Sequence, residues 1–126
     1  MFPRLWLVSL LGCGPAQPPT FTELSTEIFA PSCIEGGCHG AATGAGNLFL
    51  EGERSYESVV STPCEHPAAI EGGLVRITPG DAERSFFYQK LVNPAGMGEI
   101  MPPESPLSDA ELARVAAWIE AGALRE

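Results

Sequence analysis

The residues best able to do chemistry lie in one segment, residues 33–39, which reads CIEGGCH. Two thiols followed directly by an imidazole are typical of covalent haem attachment, in which cysteines form thioether bonds and the adjacent His ligates the iron. The usual spacing is C-x-x-C-H, whereas here it is C-x4-C-H. The extra length requires a bulge, and Gly36-Gly37 makes such a bulge sterically inexpensive. The segment therefore predicts a c-type haem, with a longer spacing than usual.

The cysteines leave the number of thioether bonds open. If Cys33 and Cys38 both bind haem, Cys64 remains a free thiol. The second arrangement starts from Glu35, which stands where the first cysteine of a standard motif would lie. Cys38 then forms the only thioether, and Cys33 pairs with Cys64 in a disulfide. Haem-attachment machinery recognises paired cysteines, which favours two thioethers. The second arrangement leaves none of the three cysteines as a free thiol, which favours the disulfide.

A metal site is a further alternative. Zinc binds thiolates and imidazoles, and the available side chains are Cys33, Cys38 and His39 with either Cys64 or His66. Zinc motifs usually contain two spaced pairs of ligands, and the thiols of exported proteins oxidise readily. Both points favour haem over zinc.

Most of the chain, residues 21–124, resembles the small cytochrome c domains of secreted and lipid-anchored bacterial proteins. The resemblance rests on "APSC" at the end of an aromatic-containing first helix, and on "GNLFL", "ITPGDAERSFFYQKL" and "MPPESPLSDAELARVAAWIEAGA", at residues 46–50, 77–91 and 101–123. It implies an all-α fold, a small cytochrome c-like domain of about four helices with long loops wrapped around one haem c.

The same resemblance implies the role of each site residue. Cys33 and Cys38 would bear the thioethers, His39 would be the proximal ligand of the haem iron, and Met101 the distal ligand. A thioether sulfur is a soft ligand suited to haem iron, and His/Met ligation raises the reduction potential. Pro102 favours an extended backbone at Met101 and stiffens its loop.

Two other side chains compete for the distal position. Met97 lies between two glycines in a stretch predicted to be flexible, so it ranks below Met101. His66 precedes a proline and is expected to be an ordinary loop residue. Met101 is therefore the predicted distal ligand.

Four helices are predicted to position these residues. The first begins at a capping box formed by Thr20 and Glu23 and ends at Pro31. The last begins at a second capping box, formed by Ser108 and Glu111, and carries one apolar stripe. The stripe predicts that the last helix packs on the first.

The middle of the chain gives weaker signals. A second helix is predicted over residues 54–61 and a third over residues 81–91, with Asp81 as its cap. Residues 73–78, GLVRIT, are the best candidate for a strand. Long loops are predicted mainly over residues 36–46 and 93–106.

The N-terminus predicts export. Residues 1–12 contain one positive charge, Arg4, followed by an apolar run, as in a secretory signal peptide. The sequence LLGC resembles the lipobox of bacterial lipoproteins, which implies that Cys13 is a lipid anchor. Residues 13–19 are then the anchor and a Pro-rich spacer, and residues 20–126 the cytochrome c-like domain. The predicted location is the periplasmic side of an envelope membrane, lipid-anchored, or secreted or periplasmic if Cys13 is not lipidated.

Composition narrows the function further. The chain has 126 residues, 44% of them hydrophobic, and a net charge of −9. This charge argues against nucleic-acid binding, since phosphate contacts need Lys and Arg. An acidic surface favours redox partner proteins that have a basic docking patch. With both axial positions filled, no catalysis by this chain alone is expected.

The predicted function is therefore a single-haem c-type cytochrome that carries electrons in the cell envelope, with a membrane contact through its lipid anchor. The alternative is a non-haem lipoprotein stapled by a disulfide, acting as a binding or structural module. The two differ in colour, because only the cytochrome has a Soret band.

Overall fold

The computed structural model describes residues 16–35 and 37–126. The predicted signal peptide, the lipid-anchor residue Cys13 and the first part of the spacer lie outside the described residues. The described chain is helical, which confirms the all-α prediction, but it has five α-helices rather than about four. They are α1 (Phe21–Leu24), α2 (Ser55–Val60), α3 (Pro67–Gly72), α4 (Phe86–Val92) and α5 (Asp109–Glu120).

The first helix is longer and wider than predicted. Its capping box is confirmed, since the Thr20 hydroxyl accepts from the Glu23 backbone and the Glu23 carboxylate accepts from the Thr20 backbone. The prediction that Pro31 ends the helix is wrong. From Ser25 to Ile34 the chain continues as a π-helix with Pro31 inside it. The wider π turn moves the carbonyl that a proline ring would meet in an α-helix away from the ring.

Helix α3 was not predicted from the sequence. His66 is its N-cap and Pro67 occupies its first turn, while Gly73 ends it in the left-handed conformation, with φ of 64°. At six residues, the helix is too short to produce a recognisable apolar period.

Helix α4 begins later than predicted, because Ser85 rather than Asp81 is its N-cap. The Asp81 carboxylate instead accepts a hydrogen bond of 3.1 Å from the Arg84 backbone N–H, in the turn before the helix. The predicted strand at residues 73–78 is also wrong. Among residues 16–35 and 37–126, one isolated parallel bridge, Val75 with Ser85, is the only β pairing.

The core forms where α5 packs against α1 and α4. Trp118 on α5 is 2% exposed, and its ring centroid lies 5.5 Å from that of Phe21 on α1. The predicted packing of the last helix on the first is therefore confirmed. The buried cluster consists of Phe21, Leu24, Ile28, Phe29, Leu50, Val59, Ile77, Ala82, Phe87, Leu91, Leu107, Val115, Trp118, Ile119 and Ala123.

The first helix lies close to the last described residue. The Thr22 hydroxyl donates a hydrogen bond to the carboxylate of Glu126. Residues 16–19, the end of the Pro-rich spacer, lie along α5 and border a hollow beside Ala113 and Ala117. No helix in the described part of the chain is long and apolar enough to span a membrane.

Candidate functional site

The segment that contains both cysteines forms a compact loop at the end of the π-helix. Cys33 lies in the last turn of this helix and is half-buried, whereas Cys38 is exposed. The His39 backbone N–H donates to the Cys33 carbonyl over 3.2 Å and closes the loop. Gly37 has a φ of 78°, a left-handed conformation that glycine adopts without steric cost. Gly36 lies outside the described residues.

The imidazole of His39 is held in one orientation. The ring Nδ1 atom lies 3.0 Å from the Leu48 carbonyl oxygen. The backbone carbonyl of His39 accepts a hydrogen bond from the Leu50 backbone N–H over 2.8 Å. A carbonyl can only accept, so Nδ1 carries the proton. In the neutral ring, Nε2 is then left with a free lone pair. Metal-ligating histidines in proteins are usually oriented by such a contact.

Met101 lies in a loop that is fastened to α4. The Met101 backbone N–H donates to the Lys90 carbonyl over 2.9 Å. The Lys90 ammonium in turn donates to the carbonyl of Met97 over 3.1 Å and to that of Glu99. Burial lowers the pKa of Lys90, and the negative charge of Glu99 opposes this shift. Lys90 therefore holds both the start and the end of the loop that precedes Pro102.

Two of the four predicted haem residues, Cys33 and Met101, pack against the core. Cys33, Leu48 and Met101 are all partly buried and pack against the core, and Leu48 is the residue that orients His39. An imidazole nitrogen and a thioether sulfur are a ligand pair suited to haem iron. The donor atoms of His39 and Met101 are therefore of the kinds that haem iron accepts.

Neither of the competing ligands has the same setting. His66 caps α3, where its Nδ1 accepts from the Ala68 backbone N–H over 3.2 Å. Its ring centroid lies 5.0 Å from that of Phe86. His66 is therefore a helix cap rather than the ordinary loop residue that was predicted. Met97 is half-buried like Met101, but unlike Met101 it is not among the side chains that pack against the core.

The described residues bear on the disulfide and zinc alternatives. Cys33, Cys38 and Cys64 are all unpaired there, so Cys33 and Cys64 form no disulfide in this structure. Within residues 16–35 and 37–126, no group of three or more His, Cys, Asp or Glu side chains is arranged to hold a metal ion. The zinc alternative therefore gains no support. A site formed by His39 and Met101 would contain only one side chain of these four types, so the absence of larger groups does not bear on it.

The sequence did not predict the roles of two residues that shape the site, Leu48 and Lys90. Leu48 acts through its backbone carbonyl, which every residue possesses, so no residue type could have revealed it. Lys90 acts through contacts with residues seven and nine positions away in the chain. A lysine seven residues before Met97 carries no local signal of such a contact.

No family model matches this chain, and no curated protein or solved structure is significantly similar to it. The resemblance to small cytochrome c domains consequently rests on the sequence motifs alone. The geometry of the site is independent of that resemblance.

The two cysteines of the motif should differ in reactivity in the reduced, haem-free protein. Burial of the thiol, reinforced by the negative charge of Glu111, raises the pKa of Cys33 to about 11. At pH 8 only about one Cys33 in a thousand is then the reactive thiolate. We expect iodoacetamide to label exposed Cys38 first, and labelling of Cys33 to accelerate as the pH rises towards 11. Peptide mass mapping over time measures both rates, and equal rates at pH 8 would contradict this assignment.

Proposed function

We propose that this chain is a single-haem c-type cytochrome that carries electrons in the cell envelope, with His39 and Met101 as axial ligands. The observation that carries the proposal is the hydrogen bond from His39 Nδ1 to the Leu48 carbonyl. It leaves Nε2 available in the one histidine that directly follows a motif cysteine. A packed surface histidine would not need this arrangement, which is typical of a metal ligand.

Each site residue has a defined task in this proposal. Cys38 and Cys33 bear the thioether bonds, His39 provides the proximal nitrogen, and Met101 provides the distal sulfur. A haem held in this way supplies an iron that gains and loses one electron. Lys90 keeps the Met101 loop against α4, which limits the loss of a weak ligand. Because both axial positions are filled by the protein, the proposal includes no substrate chemistry.

The proposed cellular setting is supported by the LLGC motif and by the charge of the chain. Cys13 is proposed as the lipid anchor, on the periplasmic side of a membrane, and the Pro-rich spacer as the connection to the folded domain. More than one acyl chain is needed for stable anchoring, which lipoprotein processing provides. The net charge of −9 favours redox partners with a basic docking patch and disfavours nucleic acid.

A pyridine haemochrome spectrum tests the cofactor. The protein is expressed with its N-terminal segment in a host that matures c-type cytochromes. We expect a Soret band that survives acid–acetone extraction, and an α band shifted from that of free haem because thioethers saturate the vinyl groups. A colourless protein that is exported and folded would overturn the proposal and favour the disulfide-stapled lipoprotein.

The same spectrum decides the number of thioethers. Pyridine replaces both axial ligands, so the α-band position reports only how many vinyl groups remain. Cys33→Ala should move the band towards the position for one thioether, while Cys64→Ala, the matched control, should not move it. If Cys33→Ala leaves the band unchanged, Cys38 forms the only thioether. A Cys33–Cys64 peptide in a non-reduced digest would then identify the disulfide.

A further inference from the structure

Arg76 is a buried cation whose partners are all backbone carbonyls. Arg76 follows Val75 in the chain and is only 5% exposed. Among the described residues, the salt bridges join Arg114 to Glu27 and Arg125 to Glu57, and no carboxylate pairs with Arg76. Burying a charge is costly unless its donors are satisfied. The position of Arg76 therefore requires an account beyond packing.

The guanidinium joins two parts of the chain. One nitrogen donates to the Ser58 carbonyl on α2 over 2.6 Å and to the Asn47 carbonyl over 3.3 Å. The other donates to the Gly46 carbonyl over 3.2 Å. A planar guanidinium presents its donors in a fixed fork, which can hold neighbouring carbonyls in one direction. Arg76 thus ties the turn at residues 46–47 to α2.

This turn needs external support. Gly46 and Asn47 both have positive φ, at 62° and 58°. Asn tolerates the left-handed conformation better than most residues, but the conformation is still strained. The next residue is Leu48, whose carbonyl accepts the His39 Nδ1 proton. The direction of that carbonyl therefore depends on the turn that Arg76 holds.

We infer that Arg76 is a positioning residue for His39: its guanidinium fixes the turn at Gly46-Asn47, so that the Leu48 carbonyl keeps the imidazole proton on Nδ1 and leaves Nε2 for iron. The role in iron binding rests on the proposed function. The control of the imidazole proton does not, because it is a property of the chain without haem.

The test measures the tautomer of His39 in the full, ¹⁵N-labelled chain produced without haem-attachment machinery. Long-range ¹H–¹⁵N spectra, recorded about two pH units above the usual histidine pKa, distinguish protonated from unprotonated ring nitrogens. His39 should carry its proton on Nδ1. His66 should carry it on Nε2, because its Nδ1 accepts from Ala68. His66 is therefore an internal reference of the opposite tautomer in every spectrum.

Three variants separate the guanidinium fork from charge and from general stability. Arg76→Met removes the charge and the donors, Arg76→Lys keeps the charge but not the fork, and Arg54→Ala removes an exposed guanidinium that lies 4.9 Å from the Phe49 ring centroid in the same region. We expect both Arg76 variants to convert His39 from a single Nδ1–H form into a mixture of tautomers. Arg54→Ala should leave His39 unchanged, and His66 should not change in any variant.

The inference is overturned if Arg76→Lys, shown by circular dichroism to be folded, keeps the wild-type tautomer of His39. This variant decides the question even if Arg76→Met fails to fold. A lower melting temperature with an unchanged tautomer would mark Arg76 as merely structural and would also overturn it. The haemochrome spectrum of the wild type tests the proposed function separately. If the haem proposal fails, the tautomer measurement still tests the role of Arg76, and the reverse also holds.

Discussion

Replacing Met101 by alanine should lower the midpoint potential of the proposed haem by on the order of 100 mV, within the roughly 0.8 V range over which axial ligands set haem potentials. A thioether sulfur favours reduced iron, so its loss favours the oxidised form. Met101 is partly buried against the core, in a loop whose backbone is bonded to Lys90. Spectroelectrochemical titration of wild type and variant measures the shift. The same spectra report whether the iron remains low-spin.

Met97→Ala is the matched control for this experiment. Met97 is half-buried in the same loop, and its contact with Lys90 is made by its backbone carbonyl, which alanine retains. The control should keep the wild-type potential. If Met97→Ala lowers the potential and Met101→Ala does not, Met97 is the ligand. If neither variant changes the potential, the distal ligand is another group and His/Met ligation is wrong.

Replacing Trp118 by alanine should destabilise the fold by about 3–5 kcal/mol, the usual cost of truncating a large buried aromatic side chain. Trp118 is 2% exposed and packs 5.5 Å from Phe21, between ring centroids. Its indole N–H also donates to the Leu124 carbonyl over 2.8 Å. Domains are stable by only about 5–15 kcal/mol, so the loss is a large part of the total. Urea denaturation followed by circular dichroism measures it.

Two further substitutions show which part of Trp118 matters. Trp118→Phe keeps an aromatic ring against Phe21 but loses the hydrogen bond, so it should cost less than alanine, about 1–2 kcal/mol. Leu124→Ala alters a residue in the same C-terminal turn that is 62% exposed, and it should change stability by less than about 0.5 kcal/mol. A cost for Leu124→Ala as large as that for Trp118→Ala would show that the turn, rather than the buried ring, stabilises the domain.

The helices that the sequence predicts well are those with local end signals. The boxes formed by Thr20 with Glu23, and by Ser108 with Glu111, are each encoded within four residues. Helix α3 lacks an equivalent apolar pattern because it spans less than two turns. The prediction that Pro31 ends the first helix is wrong because the effect of a proline depends on the width of the helical turn around it.

The site could be predicted only in its chemical groups. The order of Cys38 and His39 suggests the chemistry, but the orientation of the imidazole comes from Leu48, nine residues away, through a backbone atom. Arg76 is different, because a lone positive charge inside the apolar stretch GLVRIT is visible in the sequence. That stretch predicts a strand, and a strand assignment alone gives no reason to expect a buried guanidinium that donates to distant carbonyls.

The contact between Thr22 and Glu126 brings the start of the first helix close to the C-terminal end of the described domain. Where termini lie this close, a short linker can join them and the chain can be reopened at an exposed loop. Opening it at residues 61–65, between α2 and α3, would break no helix. In such a circular permutant Met101 would be synthesised before His39, with the order of the two proposed ligands reversed along the chain. The architecture therefore makes the order in which His39 and Met101 are synthesised separable from their positions in the fold.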